Sequence, residues 1–277
     1  MDNILRLRDY IYDKTGMYFP DGRRYFFEGQ ILKRMEALGM PSVAKYFNYL
    51  QSGDNHEALF GQLVNEVTVS ESTFFGDQRR LRALKDIFLP NIINIKRQNE
   101  NKKVRIWSVG CSSGEEAYVA AMIVHQLKTE LDDDWDLRIW ATDTNIPLLE
   151  KAKRGVYEEF TTRGIPDSFR EEYLVPSFNG INVSEEIKPY IFFEQVGLND
   201  HITVASAAKK IDLIICSNIL IRYDFETRRE IVQQFQQCLT KGGYLILGYY
   251  ESLHDLESGF NLVHFPGGIG YRKSLKG

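Results

Sequence analysis

The chain is poor in the residues that build disulfide frameworks and metal sites. Its 277 residues include three cysteines, Cys111, Cys216 and Cys238. Their spacing matches neither a paired framework nor a set of metal ligands, which favours a reducing compartment. No histidine accompanies them at a motif spacing, so the sequence predicts neither a thiol nucleophile nor a metal site. Small apolar residues at strand ends are the favoured interpretation of Cys111 and Cys216.

Long apolar runs and a large excess of one charge are also lacking. No run reaches the ~18 residues that span a bilayer, and the first residues are too charged for the apolar part of a signal peptide. We therefore expect a cytoplasmic protein without direct membrane insertion. The net charge of −4 argues against general nucleic-acid binding, which is typical of basic domains. Basic residues cluster at 23–34 and 79–85, and each cluster taken alone favours a solvated helix face.

The pattern of apolar residues divides the chain into three parts. Residues 1–67 have helical spacing throughout and predict a small domain of four helices. Residues 68–95 predict a linker, polar and then aromatic, followed by a helix over 78–95. From residue 96 to 277 strands and helices alternate, which predicts an α/β domain with a mostly parallel sheet and helices on both faces. A hairpin around Pro266-Gly-Gly268 would add an antiparallel edge strand.

One stretch interrupts this alternation. Prolines, short apolar runs such as Ile191-Phe-Phe193, and the hairpin signal Asn179-Gly180 occur between about residues 157 and 196. They predict an inserted antiparallel β element. An exposed sheet edge of this kind could bind a peptide by strand addition.

The most informative segment is Gly110-Cys-Ser-Ser-Gly-Glu-Glu-Ala-Tyr118, which predicts a strand, a glycine turn and a helix start. In a doubly wound sheet such a turn presents backbone amides to a ligand. Its glycine spacing is that of neither a dinucleotide fingerprint nor a phosphate-binding loop, and no lysine follows, which argues against a nucleoside triphosphate. Glu115 and Glu116 complement the helix dipole. That role explains one of them, and the other could face a cationic ligand group.

A second signal is Asp143, which follows the next predicted strand. An acidic residue at this place accepts hydrogen bonds from a ribose diol. The alternative is an N-cap for the helix that follows, which Asn145 could also provide. Together the two signals indicate a ligand with a ribose and an amine but without a pyrophosphate. S-adenosylmethionine fits this description, and NAD fits less well because the acidic helix start would repel its pyrophosphate.

Several motifs, in order, resemble those of the chemotaxis-receptor methyltransferases, which methylate receptor glutamates from S-adenosylmethionine. The glycine turn is similar to the family's G-C-S-T-G-E-E-P-Y, and Ala141-Thr-Asp143 is similar to A-T-D. Cys216-Ser-Asn-Ile-Leu-Ile221 resembles C-R-N-V-x-I, and Gly242-Gly-Tyr-Leu-Ile-Leu-Gly248 with Glu251 resembles G-G-x-L-x-x-G-H-S-E. The resemblance runs from the N-terminal helices to residue 272. It implies a Rossmann-like class I methyltransferase sheet and activity as a protein-glutamate O-methyltransferase, with S-adenosylhomocysteine as the product of the cofactor.

The resemblance also implies roles for particular residues. Glu116 would bind the methionine amino group, Asp143 the ribose, and Leu198 and Asn218 would line the cofactor pocket. Other candidate cofactor-binding positions are Gly110, Gly197, Ser217, Ser70 and Ser72. The partner would be a chemoreceptor cytoplasmic domain, with the β insertion meeting a receptor tail and the N-terminal helices meeting the acidic methylation region.

Some positions depart from the family pattern. Gly76 stands where the family's N-x-T-x-F-F-R has an arginine that touches the cofactor, and Gly197 stands for the asparagine of N-L-L. Ser217 replaces the arginine of C-R-N, and Arg222 stands where a tyrosine usually lies near the transferring methyl group.

These departures bear on mechanism. Methyl transfer to a carboxylate depends mainly on positioning, so lost arginines remove orientation rather than a proton shuttle. Arg222 is the candidate catalytic residue because it restores a positive charge, and Arg79 is a second candidate. The alternative function is that of a catalytically impaired family member that binds cofactor or receptor and acts as a signalling or scaffold protein.

Overall fold

The chain folds into two compact units. A computed structural model describes residues 3–15, 17, 19, 24–52, 56–68, 74, 78–132, 134–198, 210–248, 251–256, 259–266 and 268–274. One unit comprises Met1–Glu71 with Ile221–Arg228, and the other comprises Ser72–Leu220 with Arg229–Gly277. Across the described residues, no helix is both long enough and apolar enough to cross a membrane.

The first unit is helical, as its apolar spacing predicts. Its helices are α1 (Asn3–Thr15), α2 (Arg24–Ala37), α3 (Val43–Ser52) and α4 (His56–Thr68). Their apolar positions face a common core in which several side chains are fully buried, among them Leu7, Ile11, Ile31, Leu50 and Leu63. Ser42 accepts a hydrogen bond from the backbone N–H of Lys45 at 3.3 Å, so it caps the start of α3.

The segment Ile221–Arg228, which lies between two strands of the sheet in sequence, also belongs to the first unit. Its first two residues complete a 3-10 turn that begins at Leu220, and Tyr223 then forms an isolated antiparallel bridge with Met17. The Tyr12 hydroxyl donates to the Asp224 carboxylate. Asp224 also accepts the backbone N–H of Thr227 at 2.7 Å. The segment that carries Arg222 is therefore held to α1 of this unit.

The second unit begins with a helical segment over residues 78–98. It comprises α5 (Gln78–Ala83), a π-helical turn (Leu84–Phe88) and α6 (Leu89–Gln98). The sequence predicts one regular helix over 78–95. In the structure this segment contains a π-helical turn, and it ends three residues later, at Gln98. Pro90 explains part of this break, because a proline has no N–H to continue an α-helical ladder, and it stands near the start of α6.

Seven of the described strands of this unit form one sheet: β1 (Lys103–Val109), β2 (Asp136–Asp143), β6 (Ile191–Gln195), β7 (Ile211–Cys216), β8 (Leu239–Leu247), β9 (Phe260–Phe265) and β10 (Gly268–Lys273). Their order across the sheet is β6-β2-β1-β7-β8-β10-β9. The first five in spatial order are parallel, and β9 and β10 form the predicted antiparallel hairpin.

Helices α7 (Glu115–Thr129), α8 (Ile146–Arg154) and α10 (Phe225–Cys238) alternate with these strands. All six residues of β7 are buried, as expected of a central parallel strand that is covered on both faces. The mostly parallel α/β sheet with an antiparallel edge is thus confirmed.

The inserted β element is smaller than its predicted range of 157–196. Strands β3 (Val156–Tyr157), β4 (Leu174–Ser177) and β5 (Gly180–Val183) form an antiparallel sheet in the order β3-β5-β4, next in sequence to helix α9 (Asp167–Tyr173). The run Ile191-Phe-Phe193 is not part of it. That run lies in β6, which pairs in parallel with β2, so its assignment to the antiparallel insertion is wrong.

Candidate functional site

The predicted motif turns all follow neighbouring parallel strands. β1 pairs with β2 on one side, up to Val109 and Thr142, and with β7 on the other, up to Val109 and Cys216. The strands β2 and β7 therefore lie on opposite sides of β1. The carboxyl end of β1 is a topological switch point, which is where open α/β sheets bind ligands.

The turn after β1, Gly110–Gly114, is named the ligand turn because the sequence predicts a ligand there, and it has a tightly constrained backbone. Gly110 has a φ of +62°, Ser112 of +53° and Gly114 of +93°, a left-handed region that disfavours most side chains. A Cβ atom at Gly110 would lie 2.2 Å from Cδ1 of Ile219. The Tyr157 hydroxyl donates to the backbone carbonyl of Ser113 at 2.5 Å. Ile219 therefore packs closely against one side of the turn, and Tyr157 of the inserted β element fixes it from another.

Asp143 ties this turn to the one after β2. Its Oδ2 accepts the backbone N–H of Ser112 at 2.8 Å, and its Oδ1 accepts that of Asn145 at 2.8 Å. Asn145 itself caps α8 by accepting the N–H of Leu148 at 3.0 Å. Of the two roles left open by the sequence, helix capping belongs to Asn145, and the Asp143 carboxylate lies beside the ligand turn.

The two glutamates at the start of α7 have different surroundings. Glu115 is 2% exposed, and both of its carboxylate oxygens accept from the Ser113 hydroxyl, at 2.7 and 2.9 Å. Glu116 is 37% exposed at its side chain and pairs with Arg80. Glu115 is therefore the internal partner of the turn, and Glu116 is the glutamate that faces a cation.

Arg80 joins Glu116 to the loop after β7. Its Nη2 lies 3.0 Å from Oε1 of Glu116 and 2.5 Å from the Ser217 hydroxyl. That hydroxyl also lies 2.9 Å from both oxygens of Glu116. Sequence reasoning missed Arg80 and proposed its neighbour Arg79, whose side chain is exposed. The available signal was the run of basic residues at 79–85, which does not reveal the face of α5 that meets the site.

Asn218 is held in place by a buried glutamate. It has a φ of +58°, and its backbone N–H donates to Oε2 of Glu251 at 2.7 Å. The same oxygen accepts the N–H of Gly248 at 2.8 Å, and Glu251 is 6% exposed. A Cβ atom at Gly248 would lie 2.9 Å from the Asn218 side-chain oxygen. Glu251, which the sequence marks only as part of a motif, thus joins the ends of β7 and β8.

The remaining candidate residues have three different outcomes. Gly197 and Leu198 follow β6, where the N–H of Val196 donates to the Asp143 carbonyl at 3.2 Å; Leu198 is 9% exposed. Arg222 belongs to the first unit. Ser70, Ser72 and Gly76 lie outside the described residues.

The thiol of the turn after β1, that of Cys111, is buried. Burial, together with the Asp143 carboxylate, raises the pKa of the Cys111 thiol well above its usual value, which makes it a poor nucleophile. In the part of the chain that the structure describes, no group of three or more histidines, cysteines or acidic residues could hold a metal ion.

A cavity of about 120 Å³ at the opposite end of the strands has a different character. Its wall includes Asp212, which is 1% exposed and lies 2.7 Å from the Lys96 ammonium group. Asp212 also accepts the N–H of Arg105 at 3.0 Å and the hydroxyl of Thr240 at 2.9 Å. These contacts make Asp212 a structural link between elements rather than a ligand-binding group.

Comparison with known proteins agrees with the geometry. Residues 70–269 match the family model described as "CheR methyltransferase, SAM binding domain", and residues 2–68 match "CheR methyltransferase, all-alpha domain". Chemotaxis protein methyltransferase 2 of Vibrio cholerae is 34% identical over 99% of this chain and 94% of its own length. The chemotaxis protein methyltransferase of Borreliella burgdorferi is 28% identical over 91% and 88%. The chain belongs to the CheR family of S-adenosylmethionine-binding methyltransferases.

Proposed function

We propose that this protein transfers the methyl group of S-adenosylmethionine to glutamate side chains of chemotaxis receptors. The observation that carries the proposal is the arrangement at the switch point. There the glycine turn, the Asp143 carboxylate and the Glu116–Arg80 pair converge from separate segments. Relatives that match over most of the chain are named chemotaxis protein methyltransferases.

The residues present fit this cofactor. Asp143 would accept hydrogen bonds from the ribose, and Glu116 would bind the positively charged amino group of the methionine moiety. The turn at Gly110, with Gly197, Leu198, Ser217 and Asn218, would line the rest of the pocket, and Ser70 and Ser72 are further proposed contacts. Nε of Arg80 is buried and has no hydrogen-bond partner among the described residues. Because an unmet buried donor is unfavourable, a polar ligand group at this place would stabilise the site.

Methyl transfer to a carboxylate requires the protein to orient the two reactants more than to transfer protons. When bound, the cofactor supplies a methyl group on a positively charged sulfur, which a carboxylate oxygen can attack in line. A substrate glutamate is already ionised at neutral pH, so no general base is required and the geometry of approach dominates the rate. We propose that Arg222 orients that carboxylate, because a guanidinium group can hold both of its oxygens.

The alternative of a scaffold protein without transfer is less well supported. The cofactor turn, Asp143 and Asn218 all keep specific backbone hydrogen bonds, and the relatives are named methyltransferases. The proposed partner is the receptor cytoplasmic domain, so the reaction would take place in the cytoplasm.

The inserted sheet is a candidate for docking a receptor tail. Its β4 is an edge strand with an exposed Val175, and Phe178 at the neighbouring turn is fully exposed. Pro176 within β4 has no N–H to donate to an added strand. We therefore expect side-chain contacts to contribute more to docking here than a continuous strand ladder.

A transfer assay tests this proposal. The protein is incubated with methyl-labelled S-adenosylmethionine and receptor cytoplasmic fragments, and the labelled product is treated with mild base. A glutamate methyl ester releases labelled methanol, whereas methylated lysine or arginine does not. Receptor fragments with the acceptor glutamates changed to alanine are the control. If a panel of receptors takes up no label while the protein binds the cofactor, the transferase proposal is wrong and the binding-protein alternative replaces it.

A further inference from the structure

Arg80, Glu116 and Ser217 form a compact polar cluster from three segments that are distant in sequence. Arg80 lies on α5, Glu116 in the first turn of α7, and Ser217 directly after β7. The guanidinium nitrogen Nη2 lies 3.0 Å from the Glu116 carboxylate and 2.5 Å from the Ser217 hydroxyl. The cluster therefore presents one positive and one negative group side by side at the ligand turn.

The methionine end of S-adenosylmethionine carries both an ammonium group and a carboxylate on the same carbon atom. Glu116 can attract the ammonium group, but Glu115, Glu116 and Asp143 place three carboxyl groups around this turn. Like charges close together in a partly dry site repel strongly. The ligand carboxylate therefore needs a cation next to Glu116.

Arg80 can supply both that positive charge and a further hydrogen-bond donor. Its side chain is 16% exposed, and its buried Nε has no hydrogen-bond partner among the residues that the structure describes. The Nε and Nη hydrogens of a guanidinium group form a fork that matches the two oxygens of a carboxylate. Its partly buried position strengthens such a bond, because less water competes for it.

We propose that Arg80 binds the α-carboxylate of the cofactor, next to the ammonium group that Glu116 binds. The inference rests on the proposed function, because it takes this site to be the one that holds S-adenosylmethionine. What it adds is the residue of this chain that would bind the negative group of the cofactor's amino-acid end.

Calorimetric binding with three ligands tests this role. S-adenosylhomocysteine carries both charged groups, its decarboxylated analogue keeps only the ammonium group, and 5′-methylthioadenosine has neither. Arg80→Gln is expected to weaken S-adenosylhomocysteine by about 10- to 100-fold, the usual range for a hydrogen bond to a charged group. The same change should leave the decarboxylated analogue unchanged or bound more tightly, because Glu116 loses a competing partner. Arg82→Gln, an exposed position on the same helix, is the matched control and should change neither affinity.

Further variants distinguish direct binding of the carboxylate by Arg80 from a purely structural role of this residue. Glu116→Gln should weaken both amine-bearing ligands and spare 5′-methylthioadenosine. Arg80→Lys keeps the charge without the fork, is expected to give an intermediate loss for S-adenosylhomocysteine alone, and decides the question if Arg80→Gln does not fold. Equal losses for all three ligands would mean that Arg80 only supports the fold, which overturns the proposal, as would no loss for any of them. If the unchanged protein binds none of the three, the cofactor site itself is misassigned, and both proposals fail together.

Discussion

Replacing Gly110 by alanine tests the backbone geometry on which the ligand turn depends. Gly110 has a φ of +62°, and this conformation costs an L-amino acid about 1–2 kcal/mol. The new methyl group would also lie 2.2 Å from Cδ1 and 2.8 Å from Cγ1 of Ile219. Displacing a packed side chain typically costs about 1–3 kcal/mol more. The expected loss in the free energy of unfolding is therefore about 2–5 kcal/mol.

A second change separates the two causes. Among the non-neighbouring residues that the structure describes, the two Ile219 atoms are what the new methyl group would meet within 4 Å. In an Ile219→Ala background the overlap disappears, and Gly110→Ala should cost only the backbone share of about 1–2 kcal/mol. The difference between the two backgrounds is the coupling energy of a double-mutant cycle, about 1–3 kcal/mol.

Urea unfolding followed by tryptophan fluorescence measures these changes. The three tryptophans of the chain, Trp107, Trp135 and Trp140, all belong to the second unit, so their emission reports the unit that contains Gly110. Affinity for S-adenosylhomocysteine, measured on folded protein, should fall with the single change, because Ile219 follows Asn218 in the same loop.

Gly29 supplies a matched control. It lies within α2, and an added Cβ there would meet nothing within 4 Å among the residues that the structure describes. Alanine is the better helix former by about 1 kcal/mol, so Gly29→Ala should stabilise the first unit when followed by circular dichroism. If Gly110→Ala is as stable as the parent, the left-handed turn is refuted. If its cost is the same in both backgrounds, the contact with Ile219 is refuted.

Three further predictions concern other parts of the second unit. Lys96→Met should lower the free energy of unfolding by about 3–5 kcal/mol in the same urea assay, because it leaves the buried Asp212 carboxylate without its ion-pair partner; an unchanged midpoint would contradict the pairing. Burial acts to raise the pKa of Asp136, but the neighbouring Arg105 and a second arginine hold it below its usual 3.8. The ionised carboxylate therefore contributes fully to stability above that pH, and this contribution is lost as the pH falls through the lowered pKa. Asp136→Asn should make the free energy of unfolding depend less on pH below about pH 4, and an equal pH dependence in variant and parent would refute this. Tyr157→Phe removes the hydroxyl that donates to the Ser113 carbonyl of the ligand turn at 2.5 Å. It should weaken S-adenosylhomocysteine binding by about 10-fold at most. An unchanged affinity would show that this hydrogen bond does not support the turn.

The sequence predicts the elements of the sheet well and their pairing less well. Runs such as β1 and β7 are bounded by turn residues and helices, so their parallel order follows from alternation alone. The run Ile191-Phe-Phe193 carries no such information, because a short apolar strand fits an antiparallel insertion and a parallel edge equally well. Only its pairing with Ile139–Ala141, which is a tertiary contact, distinguishes the two.

The same limit explains the choice between Arg79 and Arg80. Both residues are arginines on one short helix, and the sequence gives neither the face of α5 that meets α7 nor the phase of the helix after the glycine at 76. Neighbouring side chains on a helix point about 100° apart, so one of them reaches Glu116 while the other is exposed. The motif turns predict a site after β1, β2 and β7, whereas the arginine that pairs with Glu116 depends on helix packing.

One aromatic residue of the linker motif has a structural role that its letters do not show. Within Ser70–Gly76 the structure describes Phe74, which is 3% exposed and packs edge-on against the Tyr157 ring at 4.7 Å. Its N–H donates to the carbonyl of Thr161 at 3.3 Å, and Tyr157 in turn holds the carbonyl of Ser113 in the ligand turn. Phe74 thus contacts the inserted β element, whose Tyr157 braces the ligand turn. We therefore expect sequence changes at the polar positions of this motif to leave the turn braced, because a different residue, Phe74, makes the contact with Tyr157.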